Sequence, residues 1–213
     1  MKIIIFGGGG VGESTAKLLI RHGHHVVIID RDKEVCERLA SDLPEADVLV
    51  GQATSPVVLK RAGISNADVF VAVTGSDEAN VMSAILAKTM GVKKVIVRVK
   101  DPTYVEICKL LGLNEIVNPS ESTAIRIDAK IRGLKLAEAL EMIEKYIDIE
   151  EIAVDERCKY IYCSIEDVLR DLGPAYPILL VHNGKPKIPI DPYTKLEPGD
   201  TLLIARKRTK FLV

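Results

Sequence analysis

Residues 2–12 read KIIIFGGGGVG: a run of β-branched and aromatic residues that stops at Gly7 to Gly10 and resumes at Val11-Gly12 with a helical pattern. Gly7, Gly9 and Gly12 satisfy the spacing GxGxxG. In that spacing the first glycine permits a tight turn, the second lets backbone N–H groups approach a pyrophosphate, and the third allows close packing of the helix on its strand. Gly8, Gly10 and Val11 complete the loop. The helix start adds partial positive charge that suits phosphate. The spacing alone is common, so its flanks decide its weight. The next apolar run, HVVIID at 25–30, ends in Asp30, eighteen residues beyond Gly12. An acid there accepts hydrogen bonds from ribose hydroxyls. It also repels a 2′-phosphate, which favours NAD(H) over NADP(H), while the adjacent Arg31 works the other way. ADP, ATP or AMP would use the same contacts.

Working outward, further short apolar runs occur at 47–50, 68–73, 94–99 and 115–117. They are continuous rather than alternating, as in parallel strands buried on both faces. Helix-length segments separate them, for example Ala79, Met82, Ile85, Leu86 and Met90 closed by Gly91. This alternation predicts an α/β fold, a Rossmann-like doubly wound parallel sheet. Such sheets bind ligands beyond the carboxyl ends of their strands. The remaining contact candidates are therefore Gly51, Gln52, Ala53 and Thr54 after the third strand, Val73, Thr74 and Gly75 after the fourth, and Arg98 at the end of the fifth. Arg98 is a cation in an apolar strand. It calls for a ligand anion or for an ion pair with an acid such as Asp101.

After Asn118 the texture changes. Residues 119–145 predict a connecting helix with Ser120 as N-cap, Glu121 in its first turn and Gly133 as an interruption. Its apolar positions, Ile125, Ile131, Leu134, Ala137, Leu140 and Ile143, suit either an arm that packs on another subunit or an ordinary interdomain helix. Residues 146–213 predict a second, small α+β domain. It has a strand at 146–155, a helix opened by Ser164 and closed at Gly173-Pro174, a hairpin turning on Asn183-Gly184, and a last strand at 201–205. The dinucleotide-binding sheet then occupies residues 1–118.

Composition narrows the class. The 213 residues carry 29 Lys and Arg against 30 Asp and Glu, for a net charge of −1, without a basic stripe. That removes the electrostatic footprint of a nucleic-acid binder. No apolar run reaches the roughly 18 residues that a membrane helix needs, so direct membrane insertion is not expected. The opening strand leaves no room for a signal peptide, and the dispersed Cys36, Cys108, Cys158 and Cys163 suggest a reducing, cytoplasmic setting. His22, His24 and His25 cluster at the amino edge of the strands, opposite the glycine loop. They read as a helix terminus with Gly23 as its cap rather than as metal ligands. Only His182 follows residue 118, and no Ser-Tyr-x-x-x-Lys arrangement occurs, so a dehydrogenase with an unrecognised substrate site is the weaker alternative.

Several stretches together are more specific than the glycine spacing: MKIIIFGGGGVG at 1–12, IIDRD at 28–32, GQATSPVVLKRAGI at 51–64, VAVTGSDEANVMSAILAK at 71–88 and RVKDPTY at 98–104. With the tail YPILLVHNGKPKIPIDPYTKLEPGDTLLIA at 176–205, they resemble the Trk potassium uptake regulatory protein family, built from an RCK amino-terminal and an RCK carboxy-terminal domain. Gln52 stands where the family's GDAT-like turn has an acid, and Gly10 where some members carry a basic or polar side chain. The resemblance implies a cytosolic, non-enzymatic subunit, peripheral at the inner face of the membrane. It would bind NAD(H) or an adenine nucleotide and gate a separate membrane-embedded potassium channel or transporter. It further implies a homodimer that assembles into a tetramer or an octameric ring. On the family pattern the nucleotide contacts are Gly7 to Val11, Asp30, Val73, Thr74 and Arg98.

Overall fold

The computed structural model describes residues 1–135, 139, 142, 143 and 146–207. The chain forms two compact units, Met1–Ile127 and Asp128–Val213.

In the first unit β1 (Lys2–Phe6), β2 (His25–Asp30), β3 (Asp47–Val50), β4 (Val69–Ala72), β5 (Lys94–Arg98) and β6 (Glu115–Val117) form one parallel sheet of order β3-β2-β1-β4-β5-β6. The helices are α1 (Gly10–Arg21), α2 (Lys33–Asp42), α3 (Pro56–Arg61), α4 (Asp77–Thr89), α5 (Pro102–Leu110) and α6 (Pro119–Ile131). Strand geometry sends alternate residues to opposite faces. Ile4 and Phe6 join Leu59 of α3, Val81 and Ala84 of α4 and Cys108 of α5. Ile3 and Ile5 join Ala16 of α1 and Leu39 of α2. Both faces of β1 are thus buried, which is why it reads as an unbroken apolar run.

Helix starts follow local chemistry. Asp32 caps α2, Ser76 caps α4 and Asp101 caps α5, each side chain accepting a backbone N–H. The cap of α6 differs from the expected Ser120. Asn118 Oδ1 accepts the N–H groups of Ser120 at 2.9 Å and Glu121 at 3.4 Å. Pro119 then occupies the first helical position, where its missing N–H costs nothing. At the other end Gly133, at φ +70°, closes α6, with Leu134 N–H bonded to Ala129 O at 2.8 Å, and residues 139, 142, 143 and 146 beyond it are again helical. Ala137 and Leu140 lie outside the described residues.

Among the described residues, no helix apart from the start of α6 covers one part of this sheet. Beside α1, the β4–β5–β6 half presents a groove of about 350 Å³, lined by Ile3, Leu19, Val69, Val71, Ile96 and Val117 among others. Along α6, Ile125, Ile127 and Ile131 are 62%, 54% and 80% exposed.

The second unit has an antiparallel sheet of order β7-β10-β8-β9, formed by β7 (Ile147–Ala153), β8 (Tyr176–His182), β9 (Lys185–Lys187) and β10 (Asp200–Lys207). Against it packs α7 (Ile165–Leu172), with Ile165 and Val168 buried beside Leu180, Leu202 and Ile204. Asn183 and Gly184 take φ +48° and +79°, the pair of left-handed residues that a two-residue hairpin needs. β9 is an edge strand that ends at Lys187 and carries Pro186, a residue tolerated at a sheet edge. No helix among the described residues is long and apolar enough to cross a membrane. The units divide between Ile127 and Asp128, inside α6, whereas composition alone puts the boundary at the helix start.

Candidate nucleotide-binding cleft

The glycine loop divides into positions crowded by the protein and positions that are open. Gly7 sits at φ +113°, and a Cβ there would lie 2.9 Å from Thr74 N. A Cβ on Gly12 would lie 1.8 Å from Gly7 O, and one on Gly8 would lie 2.6 Å from Leu39 Cδ1. At Gly9 and Gly10 a Cβ would meet nothing within 4 Å. Gly9 has φ −70° and ψ −177°, a conformation open to any residue. Its own chain does not demand glycine there; the demand comes from whatever enters the cleft.

Asp30, at the end of β2, fixes this loop. Its Oδ2 accepts Gly8 N–H at 2.6 Å and its Oδ1 accepts Asp32 N–H at 2.9 Å. Each oxygen keeps a further lone pair for a hydroxyl donor. Asp32 Oδ1 in turn accepts Glu34 N–H at 2.9 Å as the α2 cap.

These groups border a cleft of about 700 Å³ at the carboxyl ends of the strands. Of the expected contacts, Gly7, Gly9, Gly10 and Val11 line it from the loop, Asp30 and Arg31 from β2, and Gln52 and Thr54 after β3. Val73, Thr74 and Arg98 line it from the far side. Gly8, Gly12 and Ala53 are not on its wall. Gly8 lies beneath the loop, Gly12 packs on Gly7, and Ala53 is fully buried in the core with Leu59 and Ile29. Gly75 after β4, Ser76 and Ala79 at the start of α4, Val35 of α2, Phe6 and Asp32 complete the lining.

A further residue, Asn80, organises the far side and was not evident from sequence. It is 0% exposed, and both ends of its amide are used. Oδ1 accepts Thr74 N–H at 2.9 Å and Thr74 Oγ1–H at 2.6 Å. Nδ2 donates to Thr74 O at 3.1 Å and to Arg98 O at 2.9 Å. One side chain thereby ties the ends of β4 and β5 together. The available signal was an amide among the small and apolar residues of the inward face of α4, which also buries Ser83.

Arg98 does not pair with Asp101, whose carboxylate caps α5 through Thr103 N–H. Its Nη1 donates to Thr74 O at 3.1 Å and Val73 O at 3.4 Å, while its Nε is buried without a partner. A guanidinium N–H is a donor suited to an anionic oxygen. Open glycine N–H groups, a ribose-type acid and this guanidinium together fit a nucleotide phosphate with an attached ribose. Among the described lining residues there is no His, Cys, Tyr or Lys. On the opposite edge, His25 Nε2 lies 2.9 Å from Asp47, and no group of three or more His, Cys, Asp and Glu among the described residues is placed to hold a metal.

A parallel sheet with this strand order, and with its glycine loop where the order reverses, defines the Rossmann-like class of α/β domain. Residues 3–119 match the model of the TrkA-N domain. The chain belongs to the TrkA-N domain family. It is 33% identical over 209 residues to a Trk system potassium uptake protein TrkA homolog of Methanothermobacter thermautotrophicus, covering 97% of this chain and 94% of that protein. It is 36% identical over 214 residues to a TrkA homolog of Archaeoglobus fulgidus, covering 97% of this chain and 47% of the relative, so it spans about half of that protein. Among solved structures, the NAD-bound GsuK channel aligns with a TM-score of 0.53 at 20% identity, over 96% of this chain and 36% of the channel. The AMP-bound Kef carboxy-terminal domain of Shewanella denitrificans aligns with a TM-score of 0.55 at 20% identity, over 66% of this chain and 87% of that one.

Proposed function

We propose that this chain is a cytoplasmic, nucleotide-sensing regulatory subunit of a potassium uptake system. The carrying observation is the cleft itself, which offers open glycine amides, Asp30 and the Arg98 guanidinium, with no side chain on its wall suited to shuttle a proton at neutral pH. Asp30 and Asp32 are committed to backbone N–H groups, and guanidinium groups do not exchange protons in this range. NAD(H), ADP, ATP or AMP would lie with its phosphates over Gly9 and Gly10 and its adenosine ribose against Asp30. Arg98 would take a phosphate oxygen. The TrkA relatives and the nucleotides held by the GsuK and Kef structures support this reading.

Self-association belongs to the same proposal. The apolar groove and the exposed Ile125, Ile127 and Ile131 of α6 are complementary surfaces of one chain. Two copies docking helix to groove would bury both, giving a homodimer from which a tetramer or octameric ring is built. The potassium pathway belongs to a separate membrane protein, which this subunit joins at the inner face of the membrane. A nucleotide that prefers one arrangement of the assembly shifts its population.

The test is potassium flux in vesicles that contain the TrkA-dependent membrane subunit and this protein. NADH or ADP is expected to change the flux, and the Asp30→Ala variant is expected to blunt the response. Flux indifferent to every nucleotide would overturn the regulatory reading. Substrate-dependent consumption of NADH would replace it with an oxidoreductase.

A further inference from the structure

The strand ends set an order along the cleft. In the sheet order β3-β2-β1-β4-β5-β6 the glycine loop follows β1, Asp30 ends β2 and Gln52 follows β3. With phosphates over the loop and ribose against Asp30, the base falls beyond β2, beside Gln52 and Thr54 on the cleft wall. We infer that this end of the cleft takes 6-oxopurine nucleotides, those of hypoxanthine and guanine, as well as adenine nucleotides, and that Gln52 is the residue that admits both. The inference rests on the nucleotide reading above.

The backbone of Gln52 is fixed and its side chain is not. Gly51 N–H is bonded to Asp30 O at 2.7 Å, Ser55 N–H closes the turn on Gln52 O at 2.9 Å, and Ala53 between them is fully buried. The Gln52 amide is exposed on the cleft wall and has no hydrogen-bond partner among the described residues. A primary amide carries an acceptor oxygen and a donor NH₂ in one plane. Presented one way, it accepts from the six-amino group of adenine and donates to N1. Turned over, it donates to the six-oxygen of hypoxanthine or guanine and accepts from N1–H. No bond to the protein is broken by the turn, so the chain itself favours neither base. A carboxylate in the same place has acceptors only and would repel a carbonyl oxygen.

Neighbouring groups do not restore a preference for adenine. Asp30 holds the Gly8 and Asp32 N–H groups, and Asp32 Oδ1 caps α2 through Glu34 N–H. The remaining oxygen, Asp32 Oδ2, accepts as readily from an N1–H as from an amino group. Thr54 offers a hydroxyl, donor and acceptor at once, and Arg31 on the same wall has only donors, which suit a carbonyl. Val35 gives an apolar contact open to any purine face. Strong rejection of a near-isosteric ligand needs a committed polar group that the wrong ligand leaves unpaired, and this end of the cleft has no acceptor so committed against a six-oxygen.

The experiment is calorimetric titration of the full chain with ADP and with IDP at neutral pH. IDP replaces the six-amino group by oxygen and places a proton on N1, leaving ribose and phosphates unchanged. The unaltered chain is expected to bind the two with dissociation constants within about tenfold of each other, the span of one neutral hydrogen bond. Gln52→Glu, of the same size, is expected to shift the ratio toward ADP by about tenfold or more, as for a hydrogen bond lost beside a charge. Gln52→Met, which removes donor and acceptor together, is expected to weaken ADP and IDP by the same factor. Both variants should melt at the temperature of the parent, since the exposed amide holds nothing in the protein. A parent preference for ADP beyond that tenfold span overturns the inference while leaving the nucleotide reading in place. An ADP to IDP ratio in Gln52→Glu equal to that of the parent overturns it as well. Binding of neither nucleotide removes the nucleotide reading itself.

Discussion

Gly9 and Gly12 belong to one motif but answer to different constraints. Adding a methyl at Gly12 drives it to 1.8 Å from Gly7 O, a backbone atom that cannot retreat without moving β1. Gly12→Ala is expected to cost about 4 kcal/mol or more, seen as failure to fold or a large drop in melting temperature. Gly9→Ala meets nothing within 4 Å. Its stability is expected to stay within about 0.5 kcal/mol of the parent, while nucleotide affinity falls at least tenfold by calorimetry. Equal stability losses in the two variants would contradict this division. Asp30→Ala removes an acceptor from Gly8 and Asp32 N–H as well as the proposed ribose contact, and is expected to weaken nucleotide binding by about 10- to 100-fold, as for a charge-assisted hydrogen bond. The motif and its terminal acid were legible from spacing together with the flanking strands. What spacing did not reveal is that Asp30 also holds the loop itself, or that Ala53 points into the core while its neighbours Gln52 and Thr54 border the cleft.

At the scale of elements, buried polar groups decide how strand ends are held. Asn80 of α4 satisfies Thr74 and the carbonyl of Arg98 at once. Asn80→Ala strands those groups and is expected to cost about 2 to 3 kcal/mol in a denaturation experiment, with nucleotide affinity falling alongside. In the second unit Asp200 of β10 plays a comparable part. Its side chain is 0% exposed, and its Oδ1 lies 2.8 Å from His182 Nδ1 and 3.4 Å from Lys187 Nζ. Its Oδ2 accepts Glu197 N–H at 2.8 Å. Burial pushes the carboxyl up, but Glu197 N–H, His182 and Lys187 together outweigh it and hold it below the ordinary carboxylate value. A carboxyl depressed in the folded state stabilises above its unfolded pKa, about 3.9, and that contribution is lost as pH falls through the folded value. The second unit is accordingly expected to lose stability in acid below about pH 4. Asp200→Asn should flatten that part of the profile and lower stability at pH 7 by about 3 kcal/mol; an unchanged acid profile would remove Asp200 from the account. Strands were readable here because both faces of a parallel sheet are apolar. Asn80 and Asp200 were not, since a single polar residue in a pattern looks like a solvated one until the fold shows which way it faces. The α6 cap was misplaced by two residues for a related reason: Asn118-Pro119-Ser120 offers two capping side chains, and Pro119 at the first helical position selects the earlier.

At the scale of the molecule, strand order does most of the functional work. Placing β1 beside β4 puts the glycine loop, the end of β2 and the end of β5 around one cleft, although Gly7 and Arg98 are 91 positions apart in sequence. Alternation of strands and helices made the doubly wound parallel sheet legible, and the structure supplies its order. The β4–β5–β6 half that borders the groove was not, because its residues are as apolar as those beneath helices and only the lack of an overlying element among the described residues distinguishes them. Cleft and groove together describe a ligand grip set beside a surface suited to assembly, which is the arrangement a sensor requires. The most direct test of the central claim is calorimetric titration of the purified chain with NADH and with ADP, paired with Asp30→Ala and Gly9→Ala. The account predicts saturable binding of at least one of the two, at one site per chain, weakened at least tenfold in both variants without loss of fold. No binding of either nucleotide, or binding that both variants leave unchanged, would contradict it.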